Sequence, residues 1–244
     1  MNALSASKML RVWERALGRT SPERALALLA AACPELSAEE LSALSVGRRD
    51  RLLIALRECT FGPRLTSLAA CDSCGEPLEL SFDCSDISAA EGAQTHAELS
   101  VEREGYEARF RLPSGGDLVA VALIGDADSA RRTLLDRCVT HAAREGAQVS
   151  TEELPAAVVE AVEARMADAD PQADVRLALD CPACGHNFLA AFDVAAYLWS
   201  EVNAWAYRLL GEVHSLASAY GWREEDILAM SPWRRRVYLE MVGG

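Results

Sequence analysis

The chain has 244 residues, 50% hydrophobic and 25% charged, an ordinary globular composition that excludes wholesale disorder and a collagen-like repeat. Its 24 basic and 37 acidic residues give a net charge of −13, which argues against a nucleic-acid-coating protein held by phosphate neutralisation. The longest apolar run, residues 25–33, falls far short of the roughly 20 residues that cross a bilayer, and residues 1–10 lack the layout of a secretion signal, so a soluble, cytoplasmic protein with no membrane partner is expected.

Residues 3–56 read as helical, with breaks at Ser21-Pro22 and Pro34. Thr20 or Ser21 can cap a helix over 22–33, and Ser37 with Glu40 forms a capping box that predicts one helix running to about Arg57. Thr60-Phe-Gly-Pro63 stops it and leads into a strand over 65–70, a Cys71-Asp-Ser-Cys74 turn and a second strand over 78–82. The stretch from 86 to 174 is too long for a plain loop. Alternation at 96–101 and 106–112 around Glu104-Gly105 predicts a hairpin, Ser114-Gly-Gly-Asp117 a capped turn, and the text beyond it two helices, over 127–145 and 151–169. A strand over 175–180, a Cys181-Pro-Ala-Cys184 turn and a strand over 188–192 follow, and the rest is helical. Leu198, Val202, Trp205, Leu209, Val213, Leu216 and Tyr220 recur at steps of four and three, a core-facing stripe that Gly221 terminates before two shorter helices.

The two cysteine turns are one unit written twice. Cys71/Cys181, Cys74/Cys184, Gly75/Gly185, Leu78/Phe188, Phe82/Phe192 and Asp83/Asp193 all fall at one offset of 110 residues. Two thiolates separated by two residues in a tight turn can reach one ion at about 2.3 Å, and the following Gly supplies the positive φ the turn requires. Cys71, Cys74, Cys181 and Cys184 are therefore expected to close a tetrahedral zinc site, structural because four thiolates leave no position for substrate. A thioredoxin-like redox pair is the other reading of a C-x-x-C, but two unrelated redox motifs would not share one frame. His186 is either a donor to the site or a solvated turn residue, and Cys33, Cys59, Cys84 and Cys138 read as small core residues.

The remaining candidates are weaker. Ser114-Gly-Gly-Asp117 lacks both the Walker spacing and the dinucleotide pattern, so it reads as a cap and not a phosphate cradle. Asp168, Asp170 and Asp174 lack the glycine and terminal glutamate of a calcium loop. Cys138 and His141 could share a helix face, but no partner pair accompanies them. No H-E-x-x-H, nucleophile elbow or paired carboxylates point to catalysis, and a non-enzyme is expected. Trp199 and Tyr207, off the core stripe, either pack on another part of this chain or, together with Trp222, Trp233 and Arg235, are the candidate partner-binding residues.

The expected fold is α+β and mostly helical: an N-terminal helical segment (1–64), a split zinc ribbon built from two sequence-distant hairpins (65–85 and 174–193), an inserted small α+β lobe (86–173) hanging from the loop that zinc closes, and a C-terminal helical segment (194–244). Several phrases then look familiar together: Leu56-Arg57-Glu-Cys-Thr60-Phe61-Gly62-Pro63, Phe192-Asp193 with Leu198-Trp199, Glu212-Val213-His214, Tyr220-Gly221-Trp222, Asp226-Ile227-Leu228, Ser231-Pro232 and Arg235-Arg236. This resembles the baseplate hub assembly chaperones of T-even-type phages, in the zinc-ribbon form found in gene clusters for phage-tail-like contractile injection systems. The resemblance covers nearly the whole chain and is weakest over 86–168. It implies a cytoplasmic, non-enzymatic helper that engages hub or spike proteins while a baseplate forms. The alternative is a zinc-ribbon adaptor for nucleic acid or transcription machinery, against which the acidic turn residues Asp72 and Glu76 argue.

Overall fold

The structure, a computed structural model, describes residues 4–89 and 98–243. Four helices open the chain: α1 (Ala6–Ala16), α2 (Ser21–Ala32), α3 (Ala38–Ala43) and α4 (Val46–Phe61). The expected caps are present. Glu23 Oε2 accepts from Thr20 N at 2.9 Å, and Ser37 Oγ accepts from Glu40 N at 3.1 Å while Glu40 accepts from Ser37 N at 2.7 Å. The single helix expected from Ser37 to Arg57 is instead two. Leu44 O and Val46 N are engaged by Gly115 N and Pro113 O, a bridge to the middle of the chain, and the Ser45 hydroxyl accepts from Arg48 N to start α4 afresh.

Strands β1 (Arg64–Ala70) and β2 (Pro77–Asp83) form the first antiparallel hairpin. The middle of the chain carries β3 (Leu99–Arg103), β4 (Tyr106–Phe110), α5 (Gly115–Val121), α6 (Ala127–Cys138), β5 (Val139–Arg144), β6 (Ala147–Gln148) and α7 (Ala156–Ala169). The first positions of the strand expected from His96 lie outside the described residues. The helix expected over 127–145 stops at Cys138, because Val139–Arg144 pairs with the free edge of β4 in the order β3-β4-β5-β6. Both turns of this sheet are Glu-Gly pairs at positive φ: Glu104 and Gly105 at 55° and 79°, Glu145 and Gly146 at 49° and 83°. That backbone matches the twist of a two-residue hairpin. The second hairpin is β7 (Arg176–Asp180) with β8 (Asn187–Ala191), followed by α8 (Val194–Tyr220), α9 (Glu224–Ala229) and α10 (Pro232–Gly243). The architecture is α+β and mostly helical, with small antiparallel sheets among the described residues.

The largest core joins the two ends of the chain. Met9, Leu10 and Trp13 of α1, Leu28 and Leu29 of α2, and Leu53, Ile54 and Leu56 of α4 pack with Leu198, Trp199, Val202 and Ala206 of α8. Helix α8 is thus a central element whose removal would open this core, not a detachable arm. A second cluster places Leu154, Val158 and Val162 against Leu99, Ala108, Phe110 and Ala142 of the four-stranded sheet. The segment between the hairpins is also fastened to the first core directly, so it does not hang on the hairpins alone. Besides the Ser45–Ser114 bridge, Asp170 reaches Gly47 of α4, and Gln172 ties the end of the segment to its start, where Ile87 enters the main core: its Nε2 donates to Ile87 O at 3.1 Å and its Oε1 accepts from Ala89 N at 2.6 Å.

Two acidic motifs become structural. Asp117 is buried, takes part in the Ser114 capping box, and accepts from Arg137 Nε at 2.9 Å and Arg111 Nη2 at 3.0 Å. Burial raises its pKa, but Arg111 and Ser114 outweigh that and hold the carboxyl well below the usual carboxylate range. Two of the three aspartates that resembled a calcium loop have separate tasks. Asp174 pairs with Arg176 at 2.8 Å, and Asp170 Oδ2 accepts from Gly47 N at 2.9 Å, near the start of α4.

A Cβ on Gly47 would overlap the Asp170 carboxylate. Alanine at a helical glycine ordinarily gains up to about 1 kcal/mol. Here Gly47→Ala is expected to lower stability instead, by about 1 kcal/mol or more, since Asp170 must give up its bond. In an Asp170→Ala background the penalty should disappear, a double-mutant cycle readable by urea unfolding.

Candidate metal centre

Each cysteine turn is shaped by its own backbone. In the first, Gly75 N donates to Cys71 O at 2.8 Å and Cys71 N to Glu76 O at 2.9 Å. In the second, Gly185 N donates to Cys181 O and Cys181 N to His186 O, both at 2.9 Å. Gly75 and Gly185 take φ of 77° and 72°, the left-handed conformation an L side chain resists. The hairpins deliver both turns to the same place, with Ala70 opposite Pro77 and Asp180 opposite Asn187 as the last registered pairs.

The four sulfurs lie within 4.8 Å of one another. Contacts cross between the turns, Cys71 Sγ to Cys184 Sγ at 3.8 Å and Cys74 Sγ to Cys181 Sγ at 3.6 Å. A disulfide needs about 2.05 Å, whereas a tetrahedral thiolate site with bonds of about 2.3 Å has sulfur–sulfur edges of about 3.8 Å. The donors therefore fit one tetrahedral metal ion and can hold one. Cys71 and Cys181 are buried at 2% exposure, while Cys74 and Cys184 form the open side. The backbone N–H groups of Cys184 and Ala183, with neighbouring sulfurs, hold the Cys181 thiol down at about 7. At Cys74 the Glu76 N–H lowers the pKa, but the Cys184 and Cys181 sulfurs and burial outweigh it and push the thiol up to about 12. Deprotonated together around one cation, the four sulfurs would complete a tetrahedral shell.

His186 resolves into a strap between the turns. Its Nε2 lies 2.9 Å from Asp72 Oδ1 of the opposite turn, and its ring stacks on Phe188. At the far end of the hairpins the duplicated phenylalanines meet, Phe82 against Phe192 at 5.4 Å between centroids. Tyr197 of α8 then holds the edge of β1, its hydroxyl donating to Thr66 O at 2.9 Å and accepting from Thr66 N at 3.2 Å. Buried Arg57 donates to both carboxylate oxygens of Glu201, at 2.9 and 2.8 Å, and to Gly62 O. Sequence reasoning missed Tyr197, Glu201 and the Asp72–His186 pair. The four-residue spacing of Tyr197 and Glu201 on one face of α8 was the available signal.

The other candidates are dispersed. Cys33, Cys84 and Cys138 are buried as expected, but Cys59 is exposed near the end of α4. Cys138 closes α6 and His141 lies in β5, so they share no helix face. Among the candidate partner residues, Tyr207 is 64% and Trp233 75% exposed, and Trp222 is half-buried against Tyr220. Trp199 follows the packing alternative and drops out as a partner residue: it lies in the main core with the Arg24 guanidinium 4.8 Å from its ring, because α8 is packed on more than one side. Arg235 is a correction, buried at 4% exposure and bonded to Glu212 and Met230.

Fold and site define a helical structural protein whose two chain halves are brought together at a four-cysteine centre. Residues 19–198, which contain both cysteine turns and all between them, match the family of the T4 bacteriophage base plate protein, and the chain belongs to that family. No curated protein matches the chain, nor does any solved structure. Family membership gives it a structural baseplate role among other baseplate proteins. Among the described residues, no helix is long and apolar enough to cross a membrane.

In metal-loaded protein, Cys74→Ser and Cys184→Ser should lower stability strongly and by similar amounts, about 3 kcal/mol or more of the roughly 10–16 kcal/mol that a structural site supplies. Exposed Cys59→Ser should change neither metal content nor stability. His186→Ala should cost under about 1 kcal/mol, because the Asp72 pair is exposed. Urea unfolding with and without a chelator reads all four.

Proposed function

We propose that this chain is a non-enzymatic assembly chaperone or minor structural component of the baseplate hub in a contractile phage tail or phage-tail-like injection system, and that a structural zinc holds its ribbon together. The observation that carries the reading is the family match running through both cysteine turns. Zinc is the ion this donor set favours: four thiolates from two C-x-x-C turns form a closed site with no position for a substrate. The zinc contributes folding energy and no chemistry. The working compartment is the cytoplasm, where baseplates are built, and the partners are hub or spike proteins. The acidic turn residues Asp72 and Glu76 and the net charge of −13 weigh against a nucleic-acid adaptor.

Native mass spectrometry of the tagged protein from its own host, with the soluble fraction and purified particles analysed separately, tests this reading. The expected result is one zinc per chain and a hub or spike subunit in the soluble complex. Absence from particles makes the protein a departing chaperone, and presence makes it a baseplate part. Recovery with RNA polymerase or nucleic acid and no tail protein would overturn the proposal.

A further inference from the structure

Helix α10 has two apolar faces. The inner one packs Tyr238 and Leu239 against Val213, Leu216 and Ile227, beside buried Arg235, whose Nε donates to Glu212 Oε2 at 3.0 Å and Nη1 to Met230 O at 2.8 Å. The outer one carries Trp233, exposed at 75%, and Met241, at 64%, with half-buried Val237 between them. These three are spaced i, i+4, i+8 and make one outward stripe. The inner face already fastens the helix, so the outward stripe adds nothing to this chain's own core and marks a contact surface.

We propose that α10 is a docking helix whose Trp233–Val237–Met241 stripe enters an apolar groove with an acidic rim on another baseplate subunit. This rests on the reading of the chain as a baseplate-hub factor and names the surface and the partner chemistry for it. Charge indicates the rim. Arg234, which leans over the Tyr238 ring, and Arg236 flank the stripe; Arg235 is paired with Glu212 and Arg236 with Glu240, which leaves the exposed face a net positive charge at Arg234, opposite in sign to a chain of net charge −13. A second copy of this chain fits less well. Two chains of that charge repel, and two three-turn helices laid face to face cover less than the roughly 1,000 Å² a stable interface needs. A groove encloses the same stripe on three sides, with Trp as its central anchor.

The test titrates the full-length, metal-loaded protein with each purified hub and spike subunit of its own particle. Trp233→Ala and Met241→Ala are compared with Leu123→Ala, an exposed apolar residue between α5 and α6. One subunit should bind the parent; each α10 substitution should weaken it about tenfold or more, Leu123→Ala less than about twofold, and added salt should weaken the parent complex. All variants should melt like the parent, because the substituted side chains face solvent. A subunit that binds the α10 variants as tightly as the parent overturns the proposal but leaves the baseplate reading intact. Failure of every hub and spike subunit to bind the parent removes both. Trp233-dependent dimers in sedimentation would assign the stripe to a second copy and overturn the proposal as well.

Discussion

Four sulfurs from two turns separated by 110 residues meet within 4.8 Å, and the organisation of the chain depends on what holds them there. Each hairpin has only two strands, and such a unit is marginal alone in water. The packing beneath the cysteines is slight: Cys71, Leu78 and Cys181 are its buried members, with Leu80 and Phe188 at the margin. That cluster cannot offset the repulsion of four thiolates. Closing a loop of this length costs only a few kcal/mol more than closing a short one, well below what a thiolate-bound metal returns. A shared cation is thus the economical physical solution to the sequence.

The centre works with a second fastening at the other end of the same hairpins. Phe82 meets Phe192, Tyr197 bonds the backbone of Thr66, and Arg57 joins Glu201 to the Gly62 carbonyl. The duplicated positions therefore meet their counterparts twice, as cysteines at the turns and as phenylalanines near the helices. Helix α4 enters the first hairpin and α8 leaves the second, so fixing the hairpins sets how the two helices share the main core. A frame fastened at both ends suits a structural baseplate role.

Much of this was legible in the sequence because it is encoded locally. The cysteine turns need a fixed spacing and a glycine at positive φ, and Thr20, Ser37 and Ser114 announce their helices by capping chemistry. What was not legible came from tertiary contacts. The break at Ser45 exists because the backbone there pairs with Ser114, and Val139–Arg144 is a strand because β4 offers an open edge. The second Glu-Gly turn was a visible clue that the helical pattern before it obscured. The place of Trp199 stayed open because periodicity marks which residues share a face but not how many faces a helix buries, and α8 is covered on several. Arg235 was misplaced because its partner Glu212 lies on another helix. The four cysteines needed no such information, since each turn is fixed by local spacing and the common frame marks the two turns as one site.

Metal K-edge X-ray absorption of the protein purified without added metal tests the central claim most directly. The account predicts one metal ion per chain with four sulfur neighbours at about 2.3 Å, and loss of that shell to three sulfurs in Cys184→Ser. A shell containing nitrogen or oxygen in the parent protein, or a metal-free protein in which Cys71 and Cys184 form a disulfide, would contradict it.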